Sequence, residues 1–238
     1  MAPDINARHT SVALDMKILC VSDHVDPLVY SPSIKTRFAD VDLVLSAGDL
    51  PLRYYDFIMS TLNKPLLFVF GNHNLRYMSL YTGRADVFGR APVDGRGIED
   101  YLPTGAMYVG TRIRREKSLL VAGLGGSSWY NGGGNQYKEF NIALRIAKLM
   151  PRLLFNKLRF GRYLDILLTH APPLGIHDQD DPCHRGFKAF LWFMRTFKPK
   201  YLIHGHIHLY SASAERSTRY DETTIVNAYD HVVIDVED

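Results

Sequence analysis

The chain has 238 residues and a formal net charge of +3, with 46% hydrophobic and 22% charged residues. This length fits one compact domain with a substantial core, and the composition excludes a disordered chain and a polybasic nucleic-acid wrapper. Cys20 and Cys183 stand far apart without a CxxC pair, which excludes a disulfide scaffold and a thiolate zinc site and favours a reducing compartment.

The amino-terminal segment and the apolar segments predict a protein without a membrane anchor. Residues 1–15 contain two acids and no apolar run of signal-peptide length, so we expect a disordered tail there. No stretch approaches the roughly 18 uncharged apolar residues of a membrane-spanning helix, and even 187–197 contains Lys188 and Arg195. We therefore expect a cytoplasmic protein with a single folded domain over 16–238.

Short apolar runs bounded by turn residues predict buried β-strands along the whole chain. They lie at 16–22, 42–48, 66–71, 107–110, 118–125, 165–170, 201–205, 224–228 and 231–236. Helical patterns lie at 52–62, 137–149 and 185–197. This mixture predicts βαβ units, and the gap of only two residues before the last run predicts a closing antiparallel hairpin.

Five of the predicted strands are followed by side chains that can bind a metal ion. In chain order these residues are Asp23, Asp49, Asn72, His73, His170, His206 and His208. Loops at the carboxyl ends of strands in an open α/β sheet converge on one crevice, so we expect a single site. Carboxylate, amide and imidazole ligands suit manganese, iron or zinc, and so many ligands predict two ions bridged by a carboxylate.

The strand-end motifs GD (48–49), GNHN (71–74), TH (169–170) and GHIH (205–208), preceded by Asp23, resemble the calcineurin-like metallophosphoesterase superfamily. The resemblance implies an α/β fold, a four-layer α/β/β/α sandwich with its metal site at the carboxyl ends of the strands. It also implies hydrolysis of a phosphomonoester or phosphodiester by a hydroxide that bridges two divalent ions, with manganese favoured and iron or zinc as alternatives.

The resemblance also implies a role for each residue. Asp49 would bridge the two ions. One ion would be bound by Asp23 and His208, and the other by Asn72, His170 and His206. His73 would be the catalytic histidine, stabilising the charged intermediate and giving a proton to the leaving alkoxide. The substrate would be a small phosphate ester, and nucleic acid would enter only as a substrate.

The sequence departs from the family pattern after its first aspartate, where the family has Asp-x-His. Val25 stands at the position of that histidine and cannot bind a metal ion. We favour Asp26 as the replacement ligand, because its carboxylate could turn back towards the ion. His24 on a shifted loop and a water-completed site are the two alternatives.

The substrate side of the site is less clearly marked. Leu52 replaces the Asp or Asn that orients the catalytic histidine in many members, while Arg53 matches a phosphate-clamping arginine of some phosphatases or is a surface side chain. His184 could line the substrate pocket together with Asp178, or belong to a loop without chemistry. Asn72 is a further predicted substrate contact. The glycine-dense stretch 123–134 fits no phosphate-binding motif and is typical of a mobile loop.

A basic helical insert is predicted at about 137–162. Six Lys or Arg residues and no acid lie between Arg145 and Arg162, with the apolar residues on another arc of the helix and a kink or break expected at Pro151. The segment is either a helix packed on the sandwich with a solvated basic edge, or a surface that contacts anionic lipid peripherally or guides a polyanionic substrate. Two alternatives to a soluble phosphoesterase follow: a metal-poor scaffold and a lipid phosphoesterase at a membrane surface.

Overall fold

Two stacked β-sheets, each covered by helices on its outer face, make up the protein in a computed structural model that describes residues 15–82, 105–211 and 214–236. The strands are β1 (Met16–Ser22), β2 (Leu43–Ser46), β3 (Leu66–Phe68), β4 (Met107–Tyr108), β5 (Ile113–Glu116), β6 (Leu119–Leu124), β7 (Ser127–Ser128), β8 (Gln136–Tyr137), β9 (Ile166–Thr169), β10 (Tyr201–His204), β11 (Ser217–Tyr220), β12 (Thr223–Asn227) and β13 (Asp230–Val236). The helices are α1 (Ile34–Arg37), α2 (Leu52–Leu62), α3 (Met78–Thr82), α4 (Glu139–Phe160) and α5 (Lys188–Phe197), with a 3₁₀ turn at Leu75–Tyr77. Apart from Asp15, the predicted tail lies outside the described residues.

The first sheet has the strand order β13-β1-β2-β3-β4, and the second has the order β11-β12-β10-β9-β6-β5. Within them β1 to β4, and likewise β6, β9, β10 and β12, run parallel, while β13, β11 and β5 are antiparallel edge strands. Because β1, β2, β3, β9 and β10 are parallel members of their sheets, the residues that follow them can meet at one edge of the sandwich.

The predicted closing hairpin is wrong. β12 pairs with β11 in the second sheet, whereas β13 crosses to the first sheet and pairs with β1. At the crossing, the Arg216 guanidinium donates hydrogen bonds to the carbonyl oxygens of Asn227 and Tyr229 at 3.0 Å and 2.9 Å. Asp230 then turns the chain with a φ of 60°. The carbonyl groups that a hairpin ladder would use are thus bound by a side chain.

Alternation along each strand explains the four layers. In β1, Ile18 and Cys20 face the second sheet, while Leu19 and Val21 pack against helices on the outer face. The outer face of the first sheet is covered by α1 and α2, and that of the second by α4 and α5. The predicted four-layer sandwich is therefore confirmed.

Helix α4 is longer than the predicted segment 137–149 and runs without interruption through Pro151 to Phe160. The expected break does not occur, because Ile146, Leu149 and Leu153 bury one continuous face against the second sheet on both sides of the proline. Within the described ranges, no helix is long and apolar enough to cross a membrane.

Candidate metal centre

Side chains from five strand ends meet at one edge of the sandwich. Asp49 Oδ2 lies 3.2 Å from His170 Nε2, and the same nitrogen lies 3.1 Å from Asn72 Oδ1. From the second sheet, the His206 N–H donates to Asp23 Oδ2 at 2.8 Å. The rings of His170 and His206 lie 4.8 Å apart between their centres. The predicted residues of both sheets therefore form one cluster.

The backbone is strained at three of these residues. Asp23, Asp49 and His206 have φ values of 64°, 58° and 69°. Left-handed φ is uncommon for residues other than glycine, and such strain concentrates at functional sites. Each of the three follows the end of a strand, so the turn directs its side chain into the cluster instead of along the strand.

Two glycines make room for the cluster. A Cβ atom on Gly71 would lie 2.1 Å from Asp49 Oδ1, and one on Gly205 would lie 1.9 Å from Ser22 Oγ. Both distances are far below van der Waals contact, so a larger residue at either position would displace an aspartate or its neighbour. The glycines of the GNH and GHIH motifs are therefore required by close packing at the site.

Hydrogen bonds fix the orientation of the buried ligand candidates. His170 Nδ1 donates to the Ala47 carbonyl oxygen at 2.8 Å, so its Nε2 is the nitrogen that faces Asp49 and Asn72. His206 Nε2 donates to the Cys183 carbonyl oxygen at 2.8 Å, which leaves its Nδ1 as the lone-pair nitrogen. A carbonyl that fixes the tautomer in this way is the usual second partner of a metal-binding histidine.

The charges of the cluster favour a cation at its centre. Burial opposes ionisation of Asp49, but the charge of His170 and hydrogen bonds from His170 and the His73 N–H lower the pKa of this carboxyl. Burial would lower the pKa of His170, yet the charges of Asp49 and Asp23 raise it to about 9. The pKa of His206 is lowered to about 3, mainly because the ring is buried and also because of the nearby charge of His170. A single positive charge is thus stabilised beside Asp49.

Comparison with known proteins agrees with this geometry. The model of the calcineurin-like phosphoesterase family matches residues 16–210. The chain belongs to this family. Two solved structures share the fold: TT1561 of Thermus thermophilus, with a TM-score of 0.56, 15% identity and coverage of 91% of this chain and 90% of that chain, and the calcineurin-like phosphoesterase YfkN from Bacillus subtilis, with a TM-score of 0.52, 14% identity and coverage of 94% and 85%. No curated protein matches the sequence.

One side of this calcineurin-like centre is less well assembled. His208 Nε2 lies 4.0 Å from Asp23 Oδ1, and its side chain is 43% exposed. Its ring stacks on Tyr229 with the centres 4.8 Å apart, and its Nδ1 lies 3.0 Å from the Tyr210 hydroxyl. Burial, the strongest influence, raises the pKa of Asp23. His208 is therefore held by fewer contacts than the buried residues of the cluster, whereas Asp23 is buried and accepts the His206 N–H.

The structure does not bring Asp26 to the cluster. Its Oδ1 accepts the Leu28 N–H at 2.7 Å, and its Oδ2 pairs with His231 Nδ1. His24 is exposed, and its Nδ1 lies 2.7 Å from Asp230 Oδ1. Both predicted replacements for the missing Asp-x-His histidine are thus engaged elsewhere, because the loop after Asp23 directs them towards β13.

The predicted catalytic histidine lies at the rim of the centre. The His73 N–H donates to Asp49 Oδ1 at 2.8 Å, while its side chain is exposed. Leu52, at the position of the usual orienting Asp or Asn, is buried in the core outside the first sheet. Within the described residues no hydrogen bond to the His73 ring occurs, so the ring is held only through its backbone.

The two other predicted substrate contacts differ in their position. His184 lies beside the cluster, with its ring centre 5.3 Å from that of His206 and its Nδ1 2.8 Å from Asp181 Oδ2. Arg53 is exposed in the first turn of α2 and has no hydrogen bond or ion pair in the described part of the chain. The structure therefore brings His184 to the site and leaves Arg53 on the adjoining surface.

Sequence reasoning missed three residues that touch the centre. Cys183 forms a potential metal-binding group with His184 and His206, with ligand atoms all within 4.8 Å of one another. The Tyr130 hydroxyl accepts a hydrogen bond from Asn72 Nδ2 at 3.3 Å. Asn135 Nδ2 donates to the Gly71 carbonyl oxygen at 2.6 Å. The glycine-dense stretch 123–134, interpreted as a mobile loop, is thus bonded to the site through Tyr130, and Asn135 adds a bond directly after it. Neither Tyr130 nor Asn135 stands in a motif that could have revealed this.

Proposed function

We propose that this protein is a phosphoesterase that hydrolyses a phosphomonoester or phosphodiester with two divalent ions, manganese being preferred over iron or zinc. The observation that carries the proposal is the convergence of ligand side chains from five strand ends of two sheets. Strained backbone at three of them supports it, because such strain persists where the surrounding structure maintains a functional arrangement. Membership of the calcineurin-like phosphoesterase family supports the reaction class.

The residues present fit such a centre. Asp49 would contact both ions, with Asp23 and His208 holding one of them. Asn72, His170 and His206 would hold the other, since these three are buried and turned inwards by hydrogen bonds. The ions would supply Lewis acidity towards the phosphoryl oxygens and lower the pKa of a bound water.

The side chains at the rim would handle the substrate. His73 is anchored through its backbone to Asp49, and its exposed ring is free to meet a phosphate ester. In its protonated form it would stabilise negative charge on the phosphoryl group and donate a proton to the leaving alkoxide. Asn72 and His184 would contact the phosphate from the buried side, and Arg53 would do so only after moving from the surface.

The two ion sites that we propose are unequal. The site of Asn72, His170 and His206 is buried and preorganised, whereas the site of Asp23 and His208 has no side chain in place of the Asp-x-His histidine. We therefore expect one ion to bind tightly and the other weakly. The competing function, a metal-poor scaffold, is favoured by the same defect. Elemental analysis after reconstitution separates them, because less than about half an equivalent of metal supports the scaffold.

Activity is tested with nitrophenyl phosphate and bis-nitrophenyl phosphate in the presence of manganese, iron or zinc. We expect hydrolysis of at least one ester, its loss in His73→Ala, and full activity in His24→Ala, a matched change of an exposed histidine outside the cluster. Activity that is equal in His73→Ala and the unchanged protein refutes the role of His73. Metal-loaded protein that hydrolyses neither ester, nor any member of a panel of nucleotides, oligonucleotides and phospholipids, refutes the proposed function.

The substrate we propose is a small phosphate ester. A nucleic acid would be bound only to be hydrolysed, and not as a stable partner.

A reducing compartment, and with it the cytoplasm, stays a prediction that depends on the two cysteines. Both are free thiols in the structure, with Cys20 buried and Cys183 half-buried. Burial raises the pKa of the Cys183 thiol, so it is protonated near neutral pH in the absence of metal.

A further inference from the structure

Positive charge is concentrated in the helical layer on the second sheet. Residues 140–164 and 183–200, which include nearly all of α4 and the whole of α5, contain eleven Lys or Arg residues and no Asp or Glu. The rest of the chain therefore has seventeen basic and twenty-five acidic residues, from the totals of 28 and 25. A chain that is nearly neutral as a whole thus has one strongly positive side.

Helix α4 has a second apolar face that looks away from the core. Its buried residues point to the second sheet, but six large apolar side chains on the helix are exposed: Phe140, Leu144, Met150, Leu154, Phe155 and Leu158. At about 100° per residue they fall within an arc of about 140°, whose centre is roughly 150° from that of the buried residues. Leu158 is 89% exposed and Phe140 70% exposed. A helix that only packed on the sandwich would have polar residues there.

Helix α5 extends this face. Trp192 is 48% exposed, and with Ala189 it forms one side of a groove of about 280 Å³ whose other side is Ala143, Ala147 and Met150 of α4. Seven of the thirteen exposed large apolar side chains among the described residues are on these two helices. Such concentration distinguishes an interaction surface from scattered exposed residues.

Basic side chains border the apolar face on both sides. On the helical wheel, Lys148, Arg152 and Arg159 lie along one border and Lys157 along the other. None of these four has a carboxylate partner in the described part of the chain, and Arg152 and Arg159 lie over the rings of neighbouring phenylalanines. Arg145 differs, because its guanidinium is turned inwards to the Gly125 carbonyl oxygen at 2.6 Å. Lys157 donates to the Gly161 carbonyl oxygen at 2.8 Å, but at the exposed end of the helix. Four cations therefore lie at the edges of the face.

We propose that this docking face, made of the six exposed apolar residues of α4 with Trp192 and bordered by Lys148, Arg152, Lys157 and Arg159, lies on an anionic lipid bilayer. Exposed leucine and aromatic side chains would enter the boundary between headgroups and acyl chains, while the basic side chains reach the lipid phosphates. A second copy of the chain is a poorer occupant, because it would bring two positive faces together, and the one acid of the two helices, Glu139, is already bonded to the N–H groups of Lys188 and Ala189.

The docking face also has a defined relation to the metal centre. Asn135, which donates to the Gly71 carbonyl oxygen, precedes the first residue of α4 by four positions. The amino-terminal end of the docking face, at Phe140, therefore lies on the side of the metal centre. A bilayer on this face would lie beside the site and leave the helices on the first sheet in water.

Vesicle co-sedimentation tests the proposal with the full chain. We expect binding to vesicles of phosphatidylcholine containing about 30% phosphatidylglycerol, and little binding to phosphatidylcholine alone. Raising NaCl from about 0.05 M to about 0.5 M should weaken the binding, because salt screens the basic border. In Trp129→Phe, which leaves Trp192 as the sole tryptophan, vesicles should shift the fluorescence to shorter wavelength.

Two sets of variants separate the apolar and basic contributions. Leu154→Ser with Leu158→Ser should weaken binding at least about tenfold, since both side chains are exposed and their loss leaves the core intact. Lys148→Gln with Arg152→Gln and Arg159→Gln should weaken it about a hundredfold. Leu28→Ser, another exposed leucine, and Lys35→Gln with Arg37→Gln on α1 are the matched controls and should bind normally.

Three results would overturn the proposal. The first is the absence of sedimentation with the anionic vesicles at low salt. The second is equal weakening by the control variants, which would indicate general attraction of a basic protein. The third is a dimer in solution that Leu154→Ser with Leu158→Ser dissociates while vesicle binding is unchanged, which would assign the face to a second copy.

Discussion

The two halves of the candidate metal centre differ in how firmly the protein holds them. On one side, His170, His206 and Asn72 are buried, and each is oriented by a hydrogen bond to a group outside the cluster. On the other side, His208 is exposed and lies 4.0 Å from Asp23. A family motif that is nearly complete in sequence can therefore correspond to two ligand sets of unequal preorganisation.

The difference arises from the surroundings of each half. The buried half lies where β3, β9 and β10 end, and the carbonyl groups of Ala47 and Cys183 are available there to orient its histidines. The exposed half lies between the loop after β1 and the residues after β10, where the aromatic rings of Tyr229 and Tyr210 are the main contacts of His208. Changes in the first half should therefore be the more damaging.

The largest effect is expected from His170→Asn. This change removes the buried ring that contacts both Asp49 and Asn72, so the tightly bound ion should be lost. We expect kcat/KM for a nitrophenyl ester to fall about 1,000-fold, equal to about 4 kcal/mol of transition-state stabilisation. Elemental analysis should show the missing metal, and a variant that keeps both its metal and its activity would contradict the comparison.

Asp26→Asn tests whether this carboxylate belongs to the centre or to the fold. Because both oxygens are bonded to Leu28 and His231, we expect a loss of about 2 kcal/mol in the free energy of unfolding, measured in urea. Metal content and activity of the folded variant should be unchanged. A drop in bound metal without a loss of stability would instead return Asp26 to the ligand set that the sequence predicted.

His208→Asn should have a smaller and reversible effect. In the proposed arrangement the exposed half would contribute less to metal retention, so we expect activity to fall about tenfold when manganese is limiting, equal to about 1.4 kcal/mol. Excess manganese should restore most of it, since the weak site can still fill. If the variant is as inactive as His170→Asn at every metal concentration, the two halves are equally important.

The smallest expected effect is on stability near neutral pH and comes from His204, the last residue of β10, two positions before His206. Burial, with the nearby charge of His177, lowers the pKa of His204 from 6.5 to about 3. The unfolded chain therefore takes up a proton below pH 6.5 that the folded protein does not, so stability should fall as the pH decreases from 6.5 towards 3. In metal-free protein, His204→Gln should reduce this slope by up to about 1.4 kcal/mol per pH unit. An unchanged slope would show that His204 is protonated in the fold.

Much of the fold could be predicted because buried strands have a strong local signal. The run 16–22 coincides with β1, and α2 has the predicted bounds 52–62. The prediction of a closing hairpin was wrong because the sheet that a strand joins depends on contacts outside the strand. Here these are the hydrogen bonds of Arg216 to the carbonyl oxygens of Asn227 and Tyr229, where the chain crosses between the sheets. Edge strands such as β5 and β11 consist of exposed or half-buried residues, most of them polar, and lack the continuous apolar pattern.

The candidate site was predictable where a motif and a strand end coincide, as at Asp49 and His206. It was not predictable where position depends on the path of a loop. Asp26 has a suitable side chain, but Leu28 and His231 hold its carboxylate outside the cluster. Tyr130 and Asn135 reach the centre through a loop whose glycines give no indication of where it packs.

The left-handed turns at Asp23, Asp49 and His206 also bear on the design of an inert version of this protein. A glycine adopts such a φ without steric conflict, so Asp49→Gly would relieve strain at the same time as it removes the carboxylate that we propose as the bridge between two ions. An engineer who wanted a heat-tolerant carrier with no enzymatic activity would therefore begin at these three positions. For the natural sequence, the same reasoning means that thermal robustness and chemistry compete for the same backbone.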